Sequence, residues 1–273
     1  MADNKYRISG LTFIVVLLSC FVLTAQSVTE SARKIFNEKQ DAIIRIQIVQ
    51  KTRIAYPGMS TQESESRGET VGTFISKDGL VITSLSNIDP SNLLDQMMGG
   101  QMEGMQFDVE ISSLKIILPD GTEIDGKIVL RDRDFDLAFI LPEEELTEEI
   151  TFIDLQDSAP AEVLEELVML NRLGREARRV PAVSIMPVQA IIDRPRTFYV
   201  PSQAVLNENL GNPVFNQEGK IIGLTTIRVS PTGQDMMSSL TSSLGNMGIL
   251  GVIFPAEDIL EIKEQIIREE ADE

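Results

Sequence analysis

Residues 207–226, NENLGNPVFNQEGKIIGLTT, constrain the fold of this chain more than any other stretch. A tight polar loop from Asn207 to Asn212 leads into a short apolar strand. A turn at Gln217-Glu218-Gly219 follows, then a second strand built on Ile221, Ile222 and Leu224. Pro213 stands at the head of the first strand, where its missing N–H is tolerated. Gly219 supplies the turn, and the apolar run after it is long enough for a buried strand and too short for a helix.

The same design recurs along the chain. Val71 to Thr83 reads as a hairpin around Lys77-Asp78-Gly79. Val109–Leu118 and Ile124–Leu130 flank a second hairpin turn, Pro119-Asp120-Gly121-Thr122. Ala42 to Ile48 alternates with period two. Leu164–Leu170, Pro187–Ile192 and Gly251–Pro255 are further strand candidates. Helical spacing is confined to the two ends. Val28–Gln40 carries Ala32, Ile35 and Phe36 on one stripe, with Thr29 or Ser31 as N-cap. Ala256–Glu270 gathers Ile259, Leu260, Ile262, Ile266 and Ile267.

Composition narrows the function. Apolar residues make up 42% of the 273, enough for a core, and tryptophan is absent, so aliphatic side chains must fill it. A net charge of −18 repels phosphate backbones and excludes charge-driven nucleic-acid binding. It serves solubility, or attracts a basic partner. Residues 1–27 carry an export signal: Lys5 and Arg7, an apolar run from Leu11 to Ala25, and Ala25-Gln26-Ser27 as cleavage site. An uncleaved anchor and a lipid on Cys20 are the alternatives, and either would be the chain's only tie to a membrane. Cys20 is the sole cysteine, so no internal disulfide forms.

The spacing of these motifs resembles the trypsin-like serine proteases, and the HtrA branch in particular. In residues 207–223 the family pattern of the nucleophile loop is met by Asn209, Gly211, Pro213, Asn216, Gly219 and Gly223. Glu208 and Asn212 replace two of its glycines, and Leu210 takes the nucleophile's place. The hairpin at 71–83 resembles the segment that precedes the family's general-base histidine. That place is Ser86, and the chain contains no histidine at all. Asp134-Phe135-Asp136-Leu137-Ala138 resembles the family's Asp-Leu-Ala segment, which makes Asp136 the one triad position that keeps its group.

The resemblance implies an all-β fold: two six-stranded antiparallel barrels with a short N-terminal and a C-terminal helix. The first barrel is expected over about residues 41–142 and the second over about 150–255, joined by the acidic run Glu143–Glu149. A C-terminal helix over 256–270 closes the chain, and no PDZ module is expected. The implied triad positions are Ser86, Asp136 and Leu210, with Glu208 and Asn209 in the oxyanion loop. Leucine offers no lone pair and a serine hydroxyl no basic site near neutral pH. The resulting expectation is an exported protein that is no longer an enzyme, needs no cofactor, and works by binding a protein or peptide.

Two alternatives are carried beside it. One is a divergent hydrolase with a non-standard dyad, for which Ser202 and Lys220 are the nearest candidates. The other is Cu(I) binding by Met97, Met98, Met102 and Met105 in the loop Pro90–Gln106, since thioethers suit that ion. Met236, Met237 and Met247 crowd a second loop, Ser230–Gly248, and these soft side chains equally suit a partner surface. The one basic cluster, Arg172–Arg179, reads as a solvated loop or a contact for an acidic partner.

Overall fold

The computed structural model describes residues 27–55, 61–91, 93, 106–202, 210–229 and 249–272. Its strands close into two six-stranded antiparallel barrels. Barrel one contains β1 (Ile43–Ala55), β2 (Gln62–Phe74), β3 (Val81–Ser84), β4 (Gln106–Ile117), β5 (Glu123–Asp132) and β6 (Leu137–Pro142), in the order β1-β2-β3-β6-β5-β4. Barrel two contains β7 (Glu166–Arg172), β8 (Pro181–Ile192), β9 (Phe198–Pro201), β10 (Pro213–Phe215), β11 (Ile221–Val229) and β12 (Ile249–Pro255), in the order β10-β11-β12-β9-β8-β7. Helix α1 (Val28–Lys39) precedes the first barrel and α2 (Ala256–Asp272) follows the second.

Alternation explains the barrels. Ile44, Ile46 and Ile48 of β1 point into barrel one and pack with Phe74, Val81, Ile116 and Ile140. Gly72 lies opposite them, and a Cβ there would stand 2.7 Å from the Ile46 side chain, so only glycine lets the small barrel close. Met169, Met186, Val214 and Ile222 fill barrel two in the same way. A third cluster is the seam between the barrels. It joins Val71, Ile82 and Phe139 to Phe215, Leu224 and Phe254, and the helices add Ile35 and Ile259. Phe135 of barrel one stacks on Phe254 of barrel two with ring centroids 4.7 Å apart. Each fully buried side chain of this size contributes about 1.5–3 kcal/mol, so the seam makes the barrels one unit.

Three local details differ from the sequence expectations. Helix α1 is capped by Ser27, whose hydroxyl accepts the Glu30 N–H at 3.3 Å, whereas Ser31 lies buried inside the helix. The cap is set by the turn that buries Ala32 and Ile35. Leu164 does not open a strand: it sits at φ 69 with 76% of its surface exposed, and β7 begins two residues later. Strand β8 starts at Pro181, because it pairs with β7 from Arg172 onward. The export segment expected over residues 1–27 lies outside the described residues apart from Ser27. Among the described residues no helix is long and apolar enough to cross a membrane.

Candidate functional site

The fold brings Ser86, Asp136 and Leu210 together where the barrels meet. Strand β3 ends at Ser84, and a short 3-10 turn, Leu85–Asn87, follows it. Asp136 stands just before β6 at φ 58, a left-handed conformation that aspartate adopts more readily than most residues. Its backbone carbonyl accepts the Leu85 N–H at 2.9 Å. Its carboxylate accepts the Ser86 N–H at 2.7 Å through Oδ1, and the Ser84 hydroxyl at 2.5 Å through Oδ2. The same Oδ2 accepts the N–H of Ile227, on β11 of barrel two, at 3.2 Å.

Asp136 is therefore buried and saturated with donors. Burial pushes its carboxyl above the usual carboxylate range, and the hydrogen bonds from Ser84, Ser86 and Ile227 pull it partly back. Ser84 is fully buried, so its hydroxyl cannot meet a substrate. Sequence reasoning named Ser86 and missed Ser84, Asn87 and Ile227, because nothing local distinguishes them.

Leu210 is held by its backbone. Its carbonyl accepts the Asn87 side-chain N–H at 3.0 Å, while its side chain packs into the core of barrel two beside Val214 and Ile222. Gly211 follows at φ 83. A Cβ at that position would lie 2.8 Å from Thr83 Oγ1 and 3.1 Å from the Ser84 backbone nitrogen, so the loop lies directly on β3. The Gly211 N–H donates to Thr225 O at 2.7 Å, and the Thr225 N–H donates to Asn212 O at 3.0 Å, which fastens the loop to β11.

Glu208, Asn209, Met97, Met98, Met102 and Met105 lie outside the described residues. Among the described residues no group of three or more His, Cys, Asp or Glu side chains is gathered to hold a metal ion. Ser202 follows β9 and donates its N–H to Pro187 O, whereas Lys220 sits in the turn before β11 with Glu218 3.8 Å away. No described interaction joins the two.

The basic cluster is not a solvated loop at its first residue. Arg172 is 5% exposed. It donates to the carbonyls of Ile43, Gln40 and Arg179, binding the start of β1 to the end of β7. Arg179 and Arg175 both reach Glu69 on β2, at 2.6 and 3.2 Å. A cleft of about 730 Å³ opens between β2 and the segment after β7, and Asn87 lines it next to the site.

Residues 70–224 match the family described as Trypsin-like peptidase domain, a span of more than half of the 273 residues. The chain belongs to that family. Its relatives in the family include a "Probable periplasmic serine endoprotease DegP-like" of Rhizobium meliloti, 24% identical over 205 residues. That match covers 74% of this chain and 34% of the relative. A protein of the same name from Rickettsia conorii is 25% identical over 228 residues, covering 77% and 44%. A "Serine protease Do-like HtrA" of Bacillus subtilis is 26% identical over 168 residues, covering 57% and 33%. The chain thus spans between about a third and less than half of the length of these relatives.

These relatives correct one expectation. The lost nucleophile and base had suggested that the chain is not an enzyme, yet the relatives are named serine endoproteases, which points to protease activity at low identity. The expectation gave too much weight to the residues at Leu210 and Ser86 and too little to the non-standard dyad carried beside it, since nucleophile and base can come from other residue types.

Proposed function

We propose that this chain is an exported member of the trypsin-like peptidase family that engages extended polypeptide in the cleft between its barrels. The observation that carries this reading is the place of Asn87: it lines the cleft and its side-chain N–H also holds the Leu210 carbonyl, so this part of the wall is tied to the loop beside it before any ligand arrives. Preformed walls reduce the ordering cost of binding. Beside Asn87, β2 pairs with β1 along its length but with β3 only at Thr73 and Phe74. Among the described residues its edge from Arg67 to Val71 therefore carries no second strand and faces the cleft. The Glu69 and Val71 carbonyls already accept from Arg45 and Thr83, so an extended peptide would bond this edge through its remaining main-chain groups.

Export is supported by the signal-like residues 1–27 and by relatives whose names call them periplasmic. Those names also make peptide-bond hydrolysis the activity to assay. The chain has no histidine, so hydrolysis here would draw on groups other than a Ser–His pair. The test is titration of unfolded, carboxymethylated casein against the full chain by fluorescence anisotropy, with cleavage followed by gel in the same samples. Saturable binding, with or without cleavage, supports the reading. The absence of both binding and cleavage sinks it.

A further inference from the structure

The chain as a whole is strongly acidic, but the cleft beside Asn87 is not. Its charged lining is Arg45, Arg67, Arg172 and Arg175 against Glu69 and Glu176. Four positive groups face two negative ones in a molecule of net charge −18, so the sign of the charge reverses locally. Glu69 is already spoken for: Arg179 grips both of its oxygens, and Arg175 meets one. Its hydrogen bond from Arg179 holds its carboxyl below the usual range. The buried arginines have fixed tasks as well, since Arg45 donates to the carbonyls of Arg172 and Glu69 and Arg172 donates across the seam.

The mouth is different. Arg67 is exposed on the edge of β2, with Glu123 of β5 close enough to feel its charge. Arg175 is 63% exposed, and its described bonds to Glu69 and Gln47 use a single terminal nitrogen. A guanidinium has five N–H donors in a planar fork that matches a carboxylate. Both guanidiniums are open to solvent, so their attraction for a carboxylate is screened by salt and is strongest at low ionic strength.

We propose that the polypeptide ligand places a carboxylate between Arg67 and Arg175. The carboxylate belongs to an acidic side chain or to a free chain terminus. This inference rests on the polypeptide reading above and adds the chemical class that the cleft selects.

The experiment uses the full chain and three labelled peptides of about ten residues: one with central glutamates and an amidated end, its glutamine counterpart with the same end, and the glutamine peptide with a free C-terminus. Anisotropy titrations at low salt expect the glutamate peptide, the free-terminus peptide, or both to bind at least tenfold tighter than the neutral peptide. Whichever binds tighter identifies the source of the carboxylate. The double variant R67A/R175A, both positions exposed, removes that preference, and R67K/R175K keeps part of it. Circular dichroism melts confirm that both variants are folded. Equal binding of all three peptides overturns the carboxylate inference and leaves polypeptide engagement standing. A preference unchanged in R67A/R175A also overturns it. Binding of none overturns both.

Discussion

The carboxylate of Asp136 in barrel one accepts the backbone N–H of Ile227 in barrel two at 3.2 Å. One oxygen of the same group also holds the Ser84 hydroxyl, and the other holds the Ser86 N–H. An aspartate that the family resemblance reads as a histidine's partner is here a clasp between two barrels. Replacing it with leucine strands buried donors, so D136L is expected to lose about 3 kcal/mol in urea unfolding. A loss under 1 kcal/mol would mean the clasp contributes little.

The same clasp has a pH signature. Burial raises the carboxyl of Asp136, so the native state binds its proton more readily than the unfolded chain. The contribution is complete below the unfolded-state carboxylate pKa and declines as pH rises through the native one. The stability gap between wild type and D136N is therefore widest in acid and narrows toward neutrality. Urea midpoints from about pH 4 to pH 7 measure it, and a gap that widens with pH contradicts the assignment.

Leu210, at the place the family resemblance gives to the nucleophile, is a core residue. It is 6% exposed and packs inside barrel two. Restoring a serine there removes a buried side chain and inserts a hydroxyl, so L210S is expected to destabilise the fold by roughly 2–4 kcal/mol. Thermal unfolding checks this, and an unchanged midpoint would place the side chain outside the core.

Arg172 donates to backbone carbonyls on both sides of the seam. R172M keeps the volume and orphans those acceptors, with an expected loss of about 2–4 kcal/mol. Lysine lacks the planar fork, so R172K recovers only part of it. A wild-type melting temperature for R172M would show that these bonds are dispensable.

Glu69 behaves oppositely to Asp136. The hydrogen bond from Arg179 lowers its carboxyl, so its contribution is present above the unfolded-state pKa and lost as pH falls through the native one. E69Q is expected to cost about 1–2 kcal/mol near neutrality and almost nothing in acid. A penalty that persists in acid, seen in the same urea series, refutes the charge argument.

Much of this was legible in the sequence. The hairpin at Val71–Thr83, the turn at Gly219 and the closing strand before Pro255 each announce themselves through period-two apolar runs and turn residues. What joins the barrels was not legible. Arg45 and Arg172 meet the backbone of residues more than 120 positions away, and no local pattern encodes such contacts. Arginine is ordinarily exposed, so a run of them reads as surface. Ser84 looked like any residue at a strand end until Asp136, 52 positions on, came within 2.5 Å. The expectation about activity went astray for a related reason: a motif can be read for what it lacks, but two replaced positions do not exclude other groups elsewhere in the chain.

Hydrogen exchange with mass spectrometry tests the central claim most directly, on the full chain with and without saturating carboxymethylated casein. The account predicts added protection at Arg67–Val71 and Asn171–Ala177, which wall the inter-barrel cleft, and in the turn Leu85–Asn87, which brings Asn87 to it. Protection confined to other parts of the molecule, with these three segments exchanging as in the free chain, would contradict it.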